Sequence, residues 1–165
     1  MAANELLAEK GLSALTMRAV AQRLAVAPNA LYSHVASKSE LVDEVLDAVL
    51  ADVDVPREAD PAEALFGLMA STRCVLLQHP DLVSVYLARQ GARGANAQRL
   101  GVALHGMLAD AGVTDEEAQE EARRVLIIYT IGSAAFVGGG PVREEALDRH
   151  FAAGLRWLLA GILNR

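Results

Sequence analysis

Cys74 is the only cysteine in the 165 residues, so no internal disulfide can form. That fits a reducing compartment, and the residue reads as a small member of the core. Aromatic side chains make up only 4% of the chain, while Ala and Leu dominate. Such a composition points to aliphatic helix packing rather than sheet, which favours β-branched and aromatic residues, and the expected fold class is all-α. Signatures of catalysis and metal binding are missing as well. His34, His79, His105 and His150 stand far apart, and neither HExxH nor Cys-x-x-Cys occurs. The glycine run at 138–140 follows a helical stretch, not the strand that a phosphate loop requires. No catalytic residue, metal or cofactor is expected. Residues 125–142 carry no charge and approach the roughly 20 residues of a spanning helix. The Gly138-Gly139-Gly140-Pro141 break makes a buried helix the better reading, without membrane association. The N-terminus has Asn4, Glu5, Glu9 and Lys10 where a signal peptide would need a basic start and an apolar run, so a cytoplasmic protein is expected.

Positive charge is also in short supply, the net charge being −6. The deficit is unevenly distributed. Residues 1–40 hold four basic side chains (Lys10, Arg18, Arg23, Lys38) against three acidic ones (Glu5, Glu9, Glu40). A weakly basic end on an acidic body confines phosphate attraction to that end. With 53% hydrophobic residues, the chain can bury a sizeable core in one or two small domains.

What is present is concentrated in residues 15–40. Thr16 is an N-cap residue ahead of Val20, Ala21 and Leu24, which recur at helical spacing. A tight connection at residues 25–27 follows. Pro28 then occupies a first helical turn, where its missing N–H costs nothing, and the short helix it opens carries Asn29, Leu31, Tyr32 and His34. Ser37-Lys38-Ser39-Glu40 has the spacing of a capping box opening the next helix. Two short helices joined by about four residues suit the DNA major groove. Side chains at the second helix's N-terminus, here Ala27, Pro28 and Asn29, would reach base edges. Asn29 can make a bidentate contact with adenine, while Ala27 and Pro28 can pack on a thymine methyl. Arg23 reads as a solvated face rather than a contact.

The order Gly11, Leu15-Thr16-Met17-Arg18, Ala21, Leu24, Val26, Leu31-Tyr32, His34-Val35, Lys38 and Leu41 resembles the TetR family of one-component transcriptional repressors. The His34-Val35 and Lys38 variant is most similar to the tetracycline-repressor branch. This likeness covers residues 6–53. It implies an N-terminal three-helix helix-turn-helix domain, followed by a helical domain for effector binding and dimerisation. It assigns phosphate contacts to Thr16, Arg18, Tyr32, His34 and Lys38, although Tyr32 could instead cap the small core and His34 could be a structural hydrogen-bonder. It also implies a longer natural N-terminus, because members commonly begin with a basic arm and a longer first helix. Ala25 departs from the family at a turn usually held by glycine. If that residue needs a positive φ, alanine costs on the order of 1 kcal/mol.

Beyond the module, residues 38–52 form an amphipathic linking helix with Leu41, Val45 and Val49 on one face. The reader is thus expected at residues 1–40 and the body at residues 53–165. In the body, Asp60-Pro61 opens a helix that His79-Pro80 stops. Further helices are expected at 81–90 and 95–111, the latter ended by Gly112. Thr114-Asp115-Glu116-Glu117 reads as a capping box, opening a helix that is polar through Arg124 and apolar on every side through Val137. Apolar on every side means buried on every side, which a partner subunit would achieve. This helix and the last, 144–163, are expected to form a four-helix dimer interface through Ile128, Gly132, Ala135, Leu155, Leu158 and Ile162. A monomeric core with the same stripes is the alternative.

The resemblance further implies a small-molecule effector held in the body. Candidate walls are Met69, Cys74, Leu77, Tyr86, Met107, Tyr129 and Phe136, with Arg73, His105 or Thr72 as polar anchors. Met and aromatic residues at helical spacing also fill ordinary cores, and Arg73 could simply pair with a carboxylate. Three functions follow in order: a ligand-responsive repressor binding a palindromic operator as a homodimer, a DNA-binding regulator without an effector, and an all-helical enzyme.

Overall fold

The computed structural model describes residues 2–33, 35–89, 94–136 and 144–164. They form nine α-helices: α1 (Ala2–Lys10), α2 (Met17–Arg23), α3 (Pro28–Tyr32), α4 (Lys38–Val49), α5 (Pro61–Leu77), α6 (Pro80–Ala88), α7 (Ala95–Asp110), α8 (Glu116–Ala135) and α9 (Glu144–Leu163). The described residues contain no strand, and the fold is all-α. None of these helices is long and apolar enough to cross a membrane.

Local chemistry sets most of the boundaries. The Thr16 hydroxyl accepts from the Ala19 N–H at 3.1 Å, and Ser37 accepts from the Glu40 N–H at 3.1 Å. Glu40 closes its box by accepting from the Ala36 N–H at 2.6 Å, one residue ahead of the cap. Asp60 accepts from the Ala62 N–H with Pro61 in the first turn, and His79-Pro80 both ends α5 and opens α6. The cap of α8 is Asp115, whose carboxylate accepts from the Ala118 N–H at 2.9 Å, and not the expected Thr114. A carboxylate complements the positive end of the helix better than a hydroxyl does.

One continuous apolar cluster runs through the molecule. It begins with Leu6, Leu15, Val20 and Leu31, passes along Leu41, Val45, Leu46 and Val49 of α4, and ends among Leu65, Leu68, Leu108, Leu126 and Leu155. In the body α5 packs against α6, α7, α8 and α9, while α8 covers α5, α6, α7 and α9.

Within the single chain the apolar part of α8 is buried on one side only: Leu126, Thr130 and Ala134 face inward, whereas Val125, Ile128 and Phe136 are exposed, the side expected to need a partner. Two expectations change. Cys74 is exposed rather than a core residue. Leu24 is also exposed, because α2 ends at Arg23 and the chain turns there. The turn expected at 91–94 and the glycine break at 138–140 fall largely or wholly outside the described residues.

Candidate nucleic-acid interface and body cleft

The helix-turn-helix depends on an unusual turn. Ala25 has φ 55°, the left-handed region that favours glycine, and is the one non-glycine residue there among those described. The turn is held by Val26 N–H donating to Ala21 O at 3.0 Å and Ala25 N–H donating to Gln22 O at 3.2 Å. It delivers α3 with Ala27, Pro28 and Asn29 all exposed at its start, while Leu31 anchors its other side in the core. An exposed N-terminus on a buried anchor is the form a base-reading helix needs.

Around it, Thr16, Arg18, Tyr32 and Lys38 are exposed. Tyr32 as a residue is 51% exposed. His34 lies outside the described residues. Arg23 is committed elsewhere: its Nε donates to Glu5 at 3.2 Å and its terminal nitrogens to Glu9, tying α2 to α1. The Glu9 carboxylate is consequently held below its ordinary pKa by the Arg23 hydrogen bond. Arg18 and Lys38 have no ion-pair partner among the described residues.

Contacts that the sequence did not reveal fasten α4 to the body. Arg89, at the end of α6, donates to Ser39 O at 3.0 Å and to the Asp43 carboxylate. The Tyr86 hydroxyl donates to Leu46 O, and burial and the neighbouring Asp47 charge push its pKa up. Asp47 serves as the cap of α7, accepting from Asn96 N–H at 3.1 Å and Ala97 N–H at 2.9 Å. Gly94 is required beside it, because a Cβ there would collide with the Asp47 carboxylate. Arg99 donates to the carbonyls of Leu50 and Val53 just past α4. Thus α6 and α7 grip the linking helix along its length. All these pairs are 40 or more positions apart in sequence, beyond the reach of local patterns.

In the body, Arg73, Cys74 and Leu77 line a common cleft of about 510 Å³ between α5 and α9, with Phe66, Ala70, Gln78, Asp148, Phe151 and Ala152. The last six were missed, since only packing brings α9 onto α5. Arg73 Nη1 donates to Asp148 Oδ1 at 2.6 Å. Its Cζ lies 4.8 Å from the Phe151 ring centroid, and Tyr129 stacks on that ring at 5.6 Å. Met69 is a buried neighbour on α5. The other candidates are dispersed. Met107 lines a separate cleft of about 370 Å³ with Val55, Pro56 and Ala64. His105 bonds Gly101 O and Thr72 bonds Leu68 O within their own helices. Tyr86 belongs to the α4 junction, and Phe136 is 79% exposed.

Of the expected interface residues, Ile128 and Ala135 are exposed, and Gly132, Leu158 and Ile162 are half-buried. Leu155 is a correction. It is fully buried within its own chain and therefore cannot touch a partner. Trp157, not anticipated, is 78% exposed on the same helix.

Residues 1–45 match the family model described as bacterial regulatory proteins, tetR family. A curated HTH-type transcriptional regulator of Saccharopolyspora erythraea is 38% identical over 162 residues, covering 96% of this chain and 64% of that protein. The chain spans less than two thirds of the length of the curated relatives it matches. Among solved structures, the TetR family protein ActR of Streptomyces coelicolor in complex with actinorhodin superposes with a TM-score of 0.86 at 27% identity, covering 98% of this chain and 93% of that one. BioQ with its natural double-stranded DNA operator gives a TM-score of 0.76 at 29% identity, covering 99% and 94%. Sequence motif, helix order and these likenesses agree: residues 1–45 match the tetR family of bacterial regulatory proteins, and the chain as a whole shares its fold with a solved member of that family.

Proposed function

We propose that this protein is a one-component transcriptional regulator of the cytoplasm that acts by binding and not by catalysis. It represses by covering a palindromic operator as a homodimer, and a small hydrophobic effector releases it. The observation that carries this reading is the exposed start of α3 on a buried anchor. Ala27, Pro28 and Asn29 read base edges there, and Thr16, Arg18, Tyr32, His34 and Lys38 hold phosphates. Residues 1–40 form the reader, α4 the link and residues 53–165 the body.

Supporting dimerisation are Ile128, Phe136 and Trp157, large apolar side chains left exposed along α8 and α9. Pairing them in a four-helix interface sets two readers on successive major grooves, about 34 Å apart. Effector control is supported by the grip of α6 and α7 on α4, since a ligand that shifts these helices must move the reader. A thousandfold release requires a differential affinity of about 4 kcal/mol between the two states.

The test is selection of bound DNA from random sequence by the purified dimer, then salt titration on the winner. An inverted repeat should emerge, and its affinity should fall steeply with salt. Enrichment of no symmetric site would sink the reading.

A further inference from the structure

Helical spacing gives α3 two faces. Leu31 is 7% exposed and Val35, whose N–H donates to Leu31 O at 3.0 Å, is 5% exposed, so the inner face is pinned to the core. Asn29 and Ser33, likewise four residues apart, lie opposite and are exposed, together with Ala27, Pro28, Ala30 and Tyr32. The chemistry of this outer face is restricted. Residues 24–37 contain no Lys, Arg, Asp or Glu. Arg23, the last cation before α3, is drawn onto α1 by Glu5 and Glu9, while Arg18 and Lys38 belong to α2 and α4. The Ser33 hydroxyl donates to Ala30 O at 2.7 Å, which leaves it an acceptor toward the outside. Asn29 presents a donor beside an acceptor. Ala27, Pro28 and Ala30 around it are small and apolar.

Guanine shows the major groove two acceptors, N7 and O6, and is matched by the donors of Arg or Lys, neither of which α3 carries. An Asn amide laid on that edge would set its own carbonyl oxygen against one of them. Adenine shows N7 as an acceptor beside the N6 donor, the complement of the Asn29 amide, and thymine shows a 5-methyl group that packs on small apolar side chains. We propose that the base pairs beneath α3 are A·T, with one adenine held at N6 and N7 by Asn29 and neighbouring thymine methyls packed on Ala27, Pro28 and Ala30. From Ala27 to Ala30 the chain covers on the order of 5 Å, against a base-pair step of about 3.4 Å, so the assignment concerns two or three consecutive pairs of each half-site. It rests on the reading of α3 as the base-reading helix and names the bases which that helix takes.

The test takes a duplex that the full chain selects from a random library and alters it one atom group at a time. Deoxyuridine in place of thymidine removes only the 5-methyl, and 7-deazaadenine in place of adenine removes only N7. At one or two thymines and at one adenine of each half-site, either change should weaken binding about 3- to 10-fold. Asn29→Ala, which truncates an exposed side chain and so keeps the fold, should erase the 7-deazaadenine penalty and retain the uracil one. The two analogue series on the unaltered chain decide the matter even if the variant binds too weakly to measure. Uracil tolerated at every thymine, 7-deazaadenine tolerated at every adenine, a 7-deazaadenine penalty that survives Asn29→Ala, or an Asn29-dependent pair that is G·C would overturn the assignment. A symmetric duplex bound tightly but indifferent to both analogues overturns the base assignment and leaves the reading as a DNA-binding regulator standing. Failure to enrich any symmetric duplex overturns that reading, and the base assignment with it.

Discussion

Replacing Ala25 with glycine should stabilise the protein. At φ 55° the alanine Cβ crowds the backbone, a conformation that costs an L-residue roughly 1–2 kcal/mol and glycine almost nothing. Glycine also loosens the unfolded chain, which offsets about 0.4–1 kcal/mol of that gain. No packing is lost, because Ala25 is exposed and its methyl contributes little to the core. The net gain is roughly 0.5–1 kcal/mol, or about 1–4 °C in melting temperature for a chain of this length. Urea unfolding followed by circular dichroism at fixed protein concentration is the suitable assay. The midpoint should rise at constant slope, as it does when stability changes without a change in exposed surface. Ala25→Val supplies the opposite control, since a β-branched residue suffers more at positive φ. A glycine variant no more stable than the parent, together with a tolerated valine, would refute the idea that the turn is strained.

Four further outcomes follow. Asn29→Ala should lose about 1–3 kcal/mol of discrimination at one operator position, whereas Lys38→Gln should weaken all sequences alike and lower the salt slope by about one, as binding titrations at several salt concentrations would reveal. Trp157→Glu should leave a folded monomer with much weaker operator binding, read by sedimentation; an intact dimer would place the interface elsewhere. Asp47→Ala uncaps α7 and frees α4, and should cost about 1–2 kcal/mol in chemical denaturation. Tyr86 gives a pH signature. Its folded pKa lies above the unfolded value near 10, so its contribution is complete below about pH 10 and is lost as pH rises further, because the unfolded chain ionises first. Tyr86→Phe should remove that alkaline destabilisation, and an unchanged pH profile would count against the buried hydroxyl as its source.

Sequence by itself determined the helices and the N-terminal helix-turn-helix. The caps at Thr16, Ser37 and Asp60, Pro28 and Pro61 in first turns, and the stripes of α4 and α9 act over three or four residues. Such signals survive without knowledge of distant neighbours. For the same reason the strain at Ala25 could be anticipated from one unusual residue in one turn. Tertiary structure decided which faces meet. It buried Leu155, exposed Trp157 and Cys74, and scattered Met107, His105 and Phe136 away from the Arg73 cleft. Periodicity reports that a helix has an apolar face but not which helix will cover it. The partners of Arg73, Arg89 and Asp47 lie 46 or more positions away, where only packing in three dimensions brings a charge to its counterpart.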